Sequence, residues 1–158
     1  VGAFEAAGFS VIPYRAFIGD AIAPSGPIGG RAVTDQERED VDYGRKILSA
    51  ILPLSFGQAI VVAKRSVVAV EAMEGTDEMI RRAGAILGGR GGVVVKMMRA
   101  DQDERFDIPV VGLRTLEGMR TAGLTCLAVE ADRTIILNPD EVRAFALASD
   151  MALEGIEA

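Results

Sequence analysis

The sequence contains no histidine and no tryptophan, and it has a single cysteine, Cys126. Without histidine, a Ser-His-Asp triad, a Cys-His pair and an ordinary zinc site are excluded within this chain. One cysteine cannot form an intrachain disulfide, and its place in the apolar segment LTCLAVE predicts a buried, inert thiol. Any chemistry must therefore use carboxylates, lysine, hydroxyls or a hard metal ion such as Mg²⁺ or Mn²⁺.

The chain also lacks long apolar runs and an excess of positive charge. No run approaches the roughly 18 apolar residues of a membrane-spanning helix, although 49% of the 158 residues are hydrophobic. The formal net charge is −6, which argues against a basic nucleic-acid interface. These values predict one domain with a full core and no nucleic-acid partner. Because the sequence begins at Val1 rather than methionine, we expect an N-terminal part to be absent from it.

Helix and strand patterns alternate along the chain, which predicts an α/β fold, a mixed sheet with flanking helices. The capping box Thr34-Asp35-Gln36-Glu37 begins a helix that should reach Ser49 or Leu54. The Lys64-Arg65-Ser66 turn is short enough to join two strands as a hairpin. The other predicted elements are strands over 57–63, 67–71, 92–97, 124–130 and 134–137, and helices over 75–87, 115–122 and 139–149.

The two ends of the chain give weaker patterns. Residues 1–33 begin with a helix end (FEAAG) and a predicted strand over 9–13. The Gly- and Pro-rich segment APSGPIGGR, residues 23–31, is interpreted as a solvated connection, with a lid and a hinge as alternatives. The tail after Met151 gives no clear strand pattern.

Polar side chains follow two of the predicted strands, where an α/β protein places its ligand groups. They are Glu71, Glu74, Thr76, Asp77, Lys96, Gln102, Asp103, Arg105 and Asp107. Gly75 would let the backbone approach a ligand, and the free amides of the helix that starts there could bind a metal-bridged phosphate. The alternative is an ordinary acidic first turn, with Asp77–Arg81 and Glu78–Arg82 ion pairs.

Lys96 and the loop after it also have two interpretations. At the end of a buried strand, Lys96 could pair with a phosphate, or its stem could simply extend to solvent. In the loop, Asp103 and Asp107 could bind metal or activate water and Arg105 could clamp a phosphate, or all three could form a solvated face.

Five methionines flank these segments and could be core or an adaptable surface for acyl chains: Met73, Met79, Met97, Met98 and Met119.

Three segments together resemble a known family: EAMEGTDEMI, VVVKMMRADQDERFDIPVVG and TLEGMRTAGLTCLAVEADRTIIL. They resemble the C-terminal domain of UDP-2,3-diacylglucosamine pyrophosphatases of the LpxI type. The resemblance implies that residues 1–158 are the catalytic C-terminal domain of a two-domain protein whose N-terminal Rossmann-like domain is absent here. It implies hydrolysis of UDP-2,3-diacylglucosamine to UMP and 2,3-diacylglucosamine 1-phosphate (lipid X) in lipid A biosynthesis. Water would attack the α-phosphorus, with Mg²⁺ or Mn²⁺ as cofactor.

The same resemblance implies roles for individual residues. Asp103 would be the essential carboxylate, as a metal ligand or as the group that orients the attacking water. The full sets are catalytic Asp103, Lys96, Asp77 and Arg105; substrate-binding Thr76, Gly75, Gln102 and Asp107; and metal-binding Asp103, Asp77 and Glu74. The expected partners are the substrate, lipid X, the N-terminal domain and a second copy of the chain. We expect a cytoplasmic protein, peripheral at the inner membrane; the alternative function is a non-catalytic lipid-phosphate binding or dimerisation module.

Overall fold

The centre of the molecule is a six-stranded mixed sheet, seen in a computed structural model that describes residues 2–10, 12, 17–99, 102 and 107–158. In chain order the strands are β1 Gly26–Gly30, β2 Ala59–Ala63, β3 Ser66–Val70, β4 Val93–Lys96, β5 Val110–Val111, β6 Cys126–Glu130, β7 Ile135–Ile136 and β8 Ala152–Ile156. The helices are α1 Gly2–Ala6, α2 Asp35–Ile51, α3 Thr76–Leu87, α4 Leu113–Ala122 and α5 Pro139–Ala148, with short 3₁₀ turns over Gly19–Ala21 and Leu52–Leu54.

The strand order places several loops at one edge of this sheet. The order is β1-β8-β6-β4-β2-β3, and β4, β6 and β8 are parallel. β2 is antiparallel to both β4 and β3, so β3 runs in the same direction as β4. The carboxyl ends of β3, β4 and β6 therefore share an edge, as the sequence analysis required for a common site. β5 and β7 form a separate two-stranded parallel sheet.

Two apolar cores cover the two faces of the main sheet. Val94 and Leu127 point toward α3, α4 and α5, whereas their strand neighbours Val93 and Cys126 point toward α2. Because successive strand residues face opposite sides, this alternation gives three layers. β4 is buried on both faces, as its continuous apolar run predicted. Cys126 is fully buried, as predicted, and burial raises the pKa of its thiol, as expected for an inert cysteine.

Local sequence signals account for most element boundaries. Thr34 and Glu37 form both hydrogen bonds of the capping box at the start of α2. The predicted hairpin joins β2 to β3 through Lys64 and Arg65, whose φ values of 52° and 53° match the primed two-residue turns. The Asp40 carboxylate accepts from the backbone N–H groups of Lys64 (3.0 Å) and Arg65 (2.5 Å), and so fixes the turn against α2.

The prediction of a solvated connection over 23–31 is wrong, because Gly26–Gly30 forms β1 and pairs antiparallel with β8. Glycine is needed there for close packing. At Gly30, with φ +74°, a Cβ atom would lie 1.9 Å from the carbonyl oxygen of Met151. The segment therefore has turn-like composition but strand geometry, because Arg143 and Met151 leave no room for a side chain at Gly29 and Gly30.

β8 is the second element that the sequence pattern did not reveal. It lies between β1 and β6 and is buried along its whole length. Its sequence ALEGI hides this position, because Glu154 and Gly155 interrupt the apolar run. Glu154 is paired with Arg38 (2.7 Å), and a Cβ at Gly155 would lie 1.8 Å from the carbonyl oxygen of Pro24.

Two smaller expectations also differ from the structure. Phe9, Ser10 and Ile12 lie outside any strand, and residues 11 and 13 of the predicted 9–13 strand are outside the described residues. The predicted 134–137 strand is reduced to β7 and pairs with β5 rather than with the main sheet. In the described part of the chain, no helix is both long and apolar enough to cross a membrane.

Candidate functional site

A cleft of about 620 Å³ opens at the carboxyl ends of β3 and β4, beside the first turn of α3. Its described lining residues are Glu74, Gly75, Thr76, Asp77, Glu78, Arg81, Lys96, Val110, Arg114 and Thr115. The cleft thus brings together five of the residues that the sequence placed in the site, namely Glu74, Gly75, Thr76, Asp77 and Lys96. It is a polar cleft in which groups of both charges face the same space.

Lys96 is the most unusual residue of the cleft, because only 6% of it is exposed. Its ammonium donates to the Thr76 hydroxyl (3.1 Å) and to the Val110 carbonyl (3.2 Å). Burial lowers the pKa of Lys96, and the charges of Glu71 and Asp77 oppose that effect. The alternative in which its stem extends to solvent is therefore excluded. An ammonium has three N–H donors, so one remains without a partner among the described residues.

Glu71 holds the Thr76 hydroxyl from the other side. The Thr76 hydroxyl donates to Oε1 of Glu71 (2.6 Å), and Oε2 of Glu71 accepts from the backbone N–H of Gln58 (3.0 Å). Glu71 is only 7% exposed and directly follows β3. The sequence analysis noted Glu71 after a strand but did not assign it to the site. A carboxylate next to an apolar strand was the signal for its burial.

The first turn of α3 supplies backbone groups to the cleft. Gly75 precedes the helix with φ +82° and ψ 170°, a conformation that favours glycine. The helix has no side-chain cap at this end. Among the described residues, no side chain accepts from the amides of its first turn, so they can bind an external acceptor, as the sequence analysis expected.

The acidic residues of the cleft are all paired with arginines. Asp77 pairs with Arg114 (2.9 Å), and Glu78 pairs with Arg81. The predicted Asp77–Arg81 and Glu78–Arg82 pairs are therefore wrong. Their spacing along α3 was suitable, but the helix packs so that Arg82 turns back to β3, where it binds the Val70 carbonyl (2.9 Å) and Glu74 (2.5 Å). Hydrogen bonds from these arginines lower the pKa of Glu74 and of Glu78.

Other proposed site residues lie away from this group or outside the described residues. Gln102 donates to Asp107 (3.2 Å) and accepts from the backbone N–H of Arg99 (2.8 Å). Neither Gln102 nor Asp107 is among the described residues that line the cleft. Asp103 and Arg105 lie outside the described residues.

The described carboxylates do not by themselves form a metal site. Among the residues that the structure describes, no group of three or more Asp, Glu, Cys or His side chains could hold a metal ion. Glu74 and Asp77, the two described members of the proposed metal set, are bound to Arg82 and Arg114.

Five further cleft residues were not predicted from the sequence as members of the site. Arg114 and Thr115 come from the first turn of α4, and Val110 belongs to β5. The strand β5 was missed because two residues after Pro109 give no measurable periodicity. Glu78 and Arg81 were expected only as ion-pair partners. Of the five methionines, four are buried and Met73 is fully exposed, so core packing explains all but one.

Comparison with known proteins identifies the family to which the chain belongs. The family model of the LpxI C-terminal domain matches residues 24–154. The UDP-2,3-diacylglucosamine pyrophosphatase LpxI of Caulobacter vibrioides is 32% identical over 95% of this chain. The chain spans 55% of the length of that relative. The predicted mixed α/β fold and the predicted resemblance are thus both confirmed, and the chain belongs to the LpxI C-terminal domain family.

Proposed function

We propose that this chain is the catalytic domain of a UDP-2,3-diacylglucosamine pyrophosphatase. The reaction would be hydrolysis of the pyrophosphate by water attack on the α-phosphorus, with UMP and 2,3-diacylglucosamine 1-phosphate as products. The observation that carries the proposal is the buried Lys96, which lines a cleft at the amino end of α3 and has one free N–H among the described residues. The name and 32% identity of the Caulobacter relative support the substrate.

The groups of the cleft are suited to bind a pyrophosphate. The free N–H of Lys96 and the first-turn amides of α3 would donate to phosphoryl oxygens. Because Lys96 is desolvated, its charge acts in a medium of low dielectric and would stabilise negative charge that develops on the leaving phosphate. Arg114, which is 87% exposed at its side chain, could exchange Asp77 for a phosphate.

We propose Mg²⁺, or Mn²⁺, as the cofactor, held by Asp103 with Asp77. Asp103 is the carboxylate that the family resemblance makes essential, and Asp77 lines the cleft. Glu74 is the weaker candidate, because its carboxylate is turned toward Arg82. When bound, the cation would neutralise phosphate charge and lower the pKa of a coordinated water. Arg105 would then act as a catalytic residue, and Gln102 and Asp107 would bind the substrate, as the family resemblance implies.

The wider context of the chain is also part of the proposal. We propose that it works with an N-terminal domain, as the name of its family implies, and that it forms a homodimer. We place it in the cytoplasm, bound peripherally at the inner membrane where a diacylated substrate would reside.

The test is UMP release from UDP-2,3-diacylglucosamine by the full-length protein and by this chain, each with Mg²⁺ and with EDTA. We expect UMP release that EDTA abolishes, and a loss of turnover on Asp103→Ala with an unchanged circular dichroism spectrum. Substantial activity of the Asp103→Ala variant would contradict the assigned role. Binding of lipid X without UMP release by either protein would instead support the non-catalytic module.

A further inference from the structure

A continuous chain of hydrogen bonds crosses the base of the cleft. It runs from the backbone N–H of Gln58 to Glu71, from Glu71 to the Thr76 hydroxyl, and from Thr76 to the Lys96 ammonium. The ammonium then binds the carbonyl of Val110. The chain joins the amino end of β2, the loop after β3, the start of α3, the end of β4 and β5. Five separate segments are thus held together by one set of contacts.

The direction of each hydrogen bond follows from the groups involved. Both Glu71 oxygens are acceptors, so the Thr76 hydroxyl must give its only proton to Glu71. An ammonium has no acceptor, so the hydroxyl oxygen must receive the N–H of Lys96. Thr76 therefore has no proton left for a ligand. Its hydroxyl acts on the position of Lys96 and does not itself donate to a phosphate.

We propose that Glu71 is a positioning residue that fixes the Thr76 hydroxyl as an acceptor and so directs the Lys96 ammonium toward a phosphate in the cleft. This inference rests on the proposed function, because it assumes that Lys96 contacts the substrate. This role accounts for the burial of the Glu71 carboxylate. A buried carboxylate costs free energy unless hydrogen bonds compensate for its lost hydration, and here those hydrogen bonds position Thr76 and Lys96. It also changes the role of Thr76 from substrate binding to the support of Lys96.

The charges around Lys96 make Glu71 its main counter-charge. Glu71 lies on the β3 side and Asp77 on α3, and both favour the protonated ammonium. Asp77 is in addition neutralised by Arg114 from α4.

The other charged groups near Lys96 form hydrogen bonds or ion pairs with partners other than Lys96. Glu74 and Glu78 of the cleft are paired with Arg82 and Arg81. On β6, the neighbour of β4, Glu130 accepts from the backbone N–H of Met98 (2.7 Å) and from Arg133 (3.3 Å). Loss of the Glu71 charge should therefore act on Lys96 more than loss of any of these.

The first test compares Glu71→Gln with a matched control, Glu154→Gln. Both carboxylates are buried, but Glu154 lies on β8, pairs with Arg38 and is not among the described residues that line the cleft. In the Glu71→Gln variant, the new amide oxygen would still accept from the backbone N–H of Gln58. The amide nitrogen would donate to the Thr76 hydroxyl oxygen, so that the hydroxyl could no longer donate to residue 71. We expect kcat/KM of the full-length enzyme to fall about tenfold or more, and its alkaline limb to move to lower pH. Glu154→Gln should leave the pH profile unchanged.

Substitutions of Thr76 distinguish the positioning of Lys96 from a general loss of protein stability. Thr76→Ser keeps the hydroxyl and should retain most activity, whereas Thr76→Val keeps the shape and should lose about as much as Glu71→Gln. The double variant Glu71→Gln/Thr76→Val should be no worse than either single variant, because both act through one hydrogen bond. Additive losses would overturn the proposal, as would a Thr76→Val enzyme with native kinetics.

A readout that does not depend on activity uses the three lysines of the chain, Lys46, Lys64 and Lys96. Lys46 and Lys64 are exposed and serve as internal references. With lysine labelled at Cε with ¹³C, nuclear magnetic resonance should show the Lys96 titration midpoint lower in Glu71→Gln than in the native chain. The Glu154→Gln midpoint should be native. An unchanged Lys96 midpoint in Glu71→Gln would overturn the inference even if UMP is released. A lowered midpoint without UMP release would refute the proposed function alone.

Discussion

A single buried ammonium determines what the cleft can bind. Lys96 is held by one hydroxyl and one carbonyl, and no carboxylate within 4.0 Å of it is found in the described part of the chain. A desolvated cation without a direct counter-ion is unfavourable in the free protein and becomes favourable when an anion enters. In the proposed function, the free energy that the burial of Lys96 costs would be partly recovered when a phosphate binds.

Lys96→Met tests this role. The methionine keeps most of the stem volume and removes the charge, so the folded protein should be as stable as the native one or more so. The value of kcat/KM for pyrophosphate hydrolysis should fall by about 10²–10³, as for the loss of one buried donor to a transition state. Lys96→Arg should not restore it, because a planar guanidinium cannot make the same bonds to Thr76 and Val110. Near-native kinetics of Lys96→Met would exclude contact with the substrate.

Glu37 gives a prediction for stability at acid pH. Burial would raise the pKa of this carboxyl, but hydrogen bonds from Arg31, Thr125 and Thr34 outweigh it and lower the pKa to about 2. Both oxygens bind Arg31 at 2.7 Å. A depressed pKa means that the stabilisation is complete above about pH 4.5 and is lost as pH falls toward 2; it amounts to about 3 kcal/mol.

The measurement is urea unfolding of the native chain and of Glu37→Gln between pH 7 and pH 2. We expect the variant to be less stable at pH 7 and the difference between the two proteins to shrink below pH 4.5. Arg31→Lys is a useful second variant, since it keeps the charge but not the two parallel bonds. A difference that stays constant with pH would show that the carboxylate is not coupled to folding in this way.

Sequence reasoning located single residues well where they follow strong strand patterns. Lys96 and Thr76 were assigned to one site, and the structure brings them into contact. Glu71 was missed as a site residue because its importance lies in a hydrogen bond to Thr76, and such a bond depends on the packing of α3 against β3. Arg114 was missed because it reaches the cleft through a tertiary contact with Asp77.

At the scale of elements, the position of α3 depends on one close helix contact. A Cβ added at Gly84 in α3 would lie 2.6 Å from the Ala122 Cβ and 2.7 Å from its Cα, at the end of α4. No side chain fits there without separating the helices. The amino end of α3 carries Gly75 and Thr76, so the spacing between the helices also sets the shape of the cleft.

Gly84→Ala should therefore destabilise the protein by about 1–3 kcal/mol and reduce catalysis. The matched control is Gly118→Ala in α4, where the added Cβ would meet only Ile80 Cγ2 at 3.9 Å. This second change should stabilise the helix by up to about 1 kcal/mol. Thermal unfolding of both variants measures the contrast. Equal effects of the two substitutions would show that the helices can adjust without cost.

Elements were predictable where their signals are local, and unpredictable where they depend on a neighbour. The capping box of α2 and the hairpin are encoded in a few adjacent residues, and both were found. β1 and β8 have no local pattern, because glycines occupy positions where another backbone approaches within 2 Å of a would-be Cβ. Their strand character comes from pairing with each other and with β6.

At the scale of the whole molecule, β8 connects the edge strand β1 to the rest of the sheet. It pairs with β1 on one side and β6 on the other, and every one of its residues is buried. A chain that stops after Met151 should therefore lose both pairings and fail to fold cooperatively. Removal of residues 1–12 should be tolerated, because α1 has no buried residue.

Circular dichroism with thermal unfolding compares these two truncations. The chain without residues 152–158 should show no cooperative transition, whereas the chain without residues 1–12 should unfold near the native temperature. A cooperative transition in the C-terminal truncation would mean that β1 and β6 can close the sheet without β8.

The central position of β8 also has a consequence for biosynthesis. During translation, β1, β2, β4 and β6 leave the ribosome before β8. Both β1 and β6 pair with β8, so neither can complete its pairing until β8 has been synthesised. The backbone N–H and C=O groups on the edge of β6 that faces β8 are therefore unpaired until translation has passed residue 156. Such long-range parallel pairing is slow and exposes aggregation-prone surface. The nascent chain should accordingly depend on chaperones that bind extended apolar segments, and its yield should fall when they are depleted.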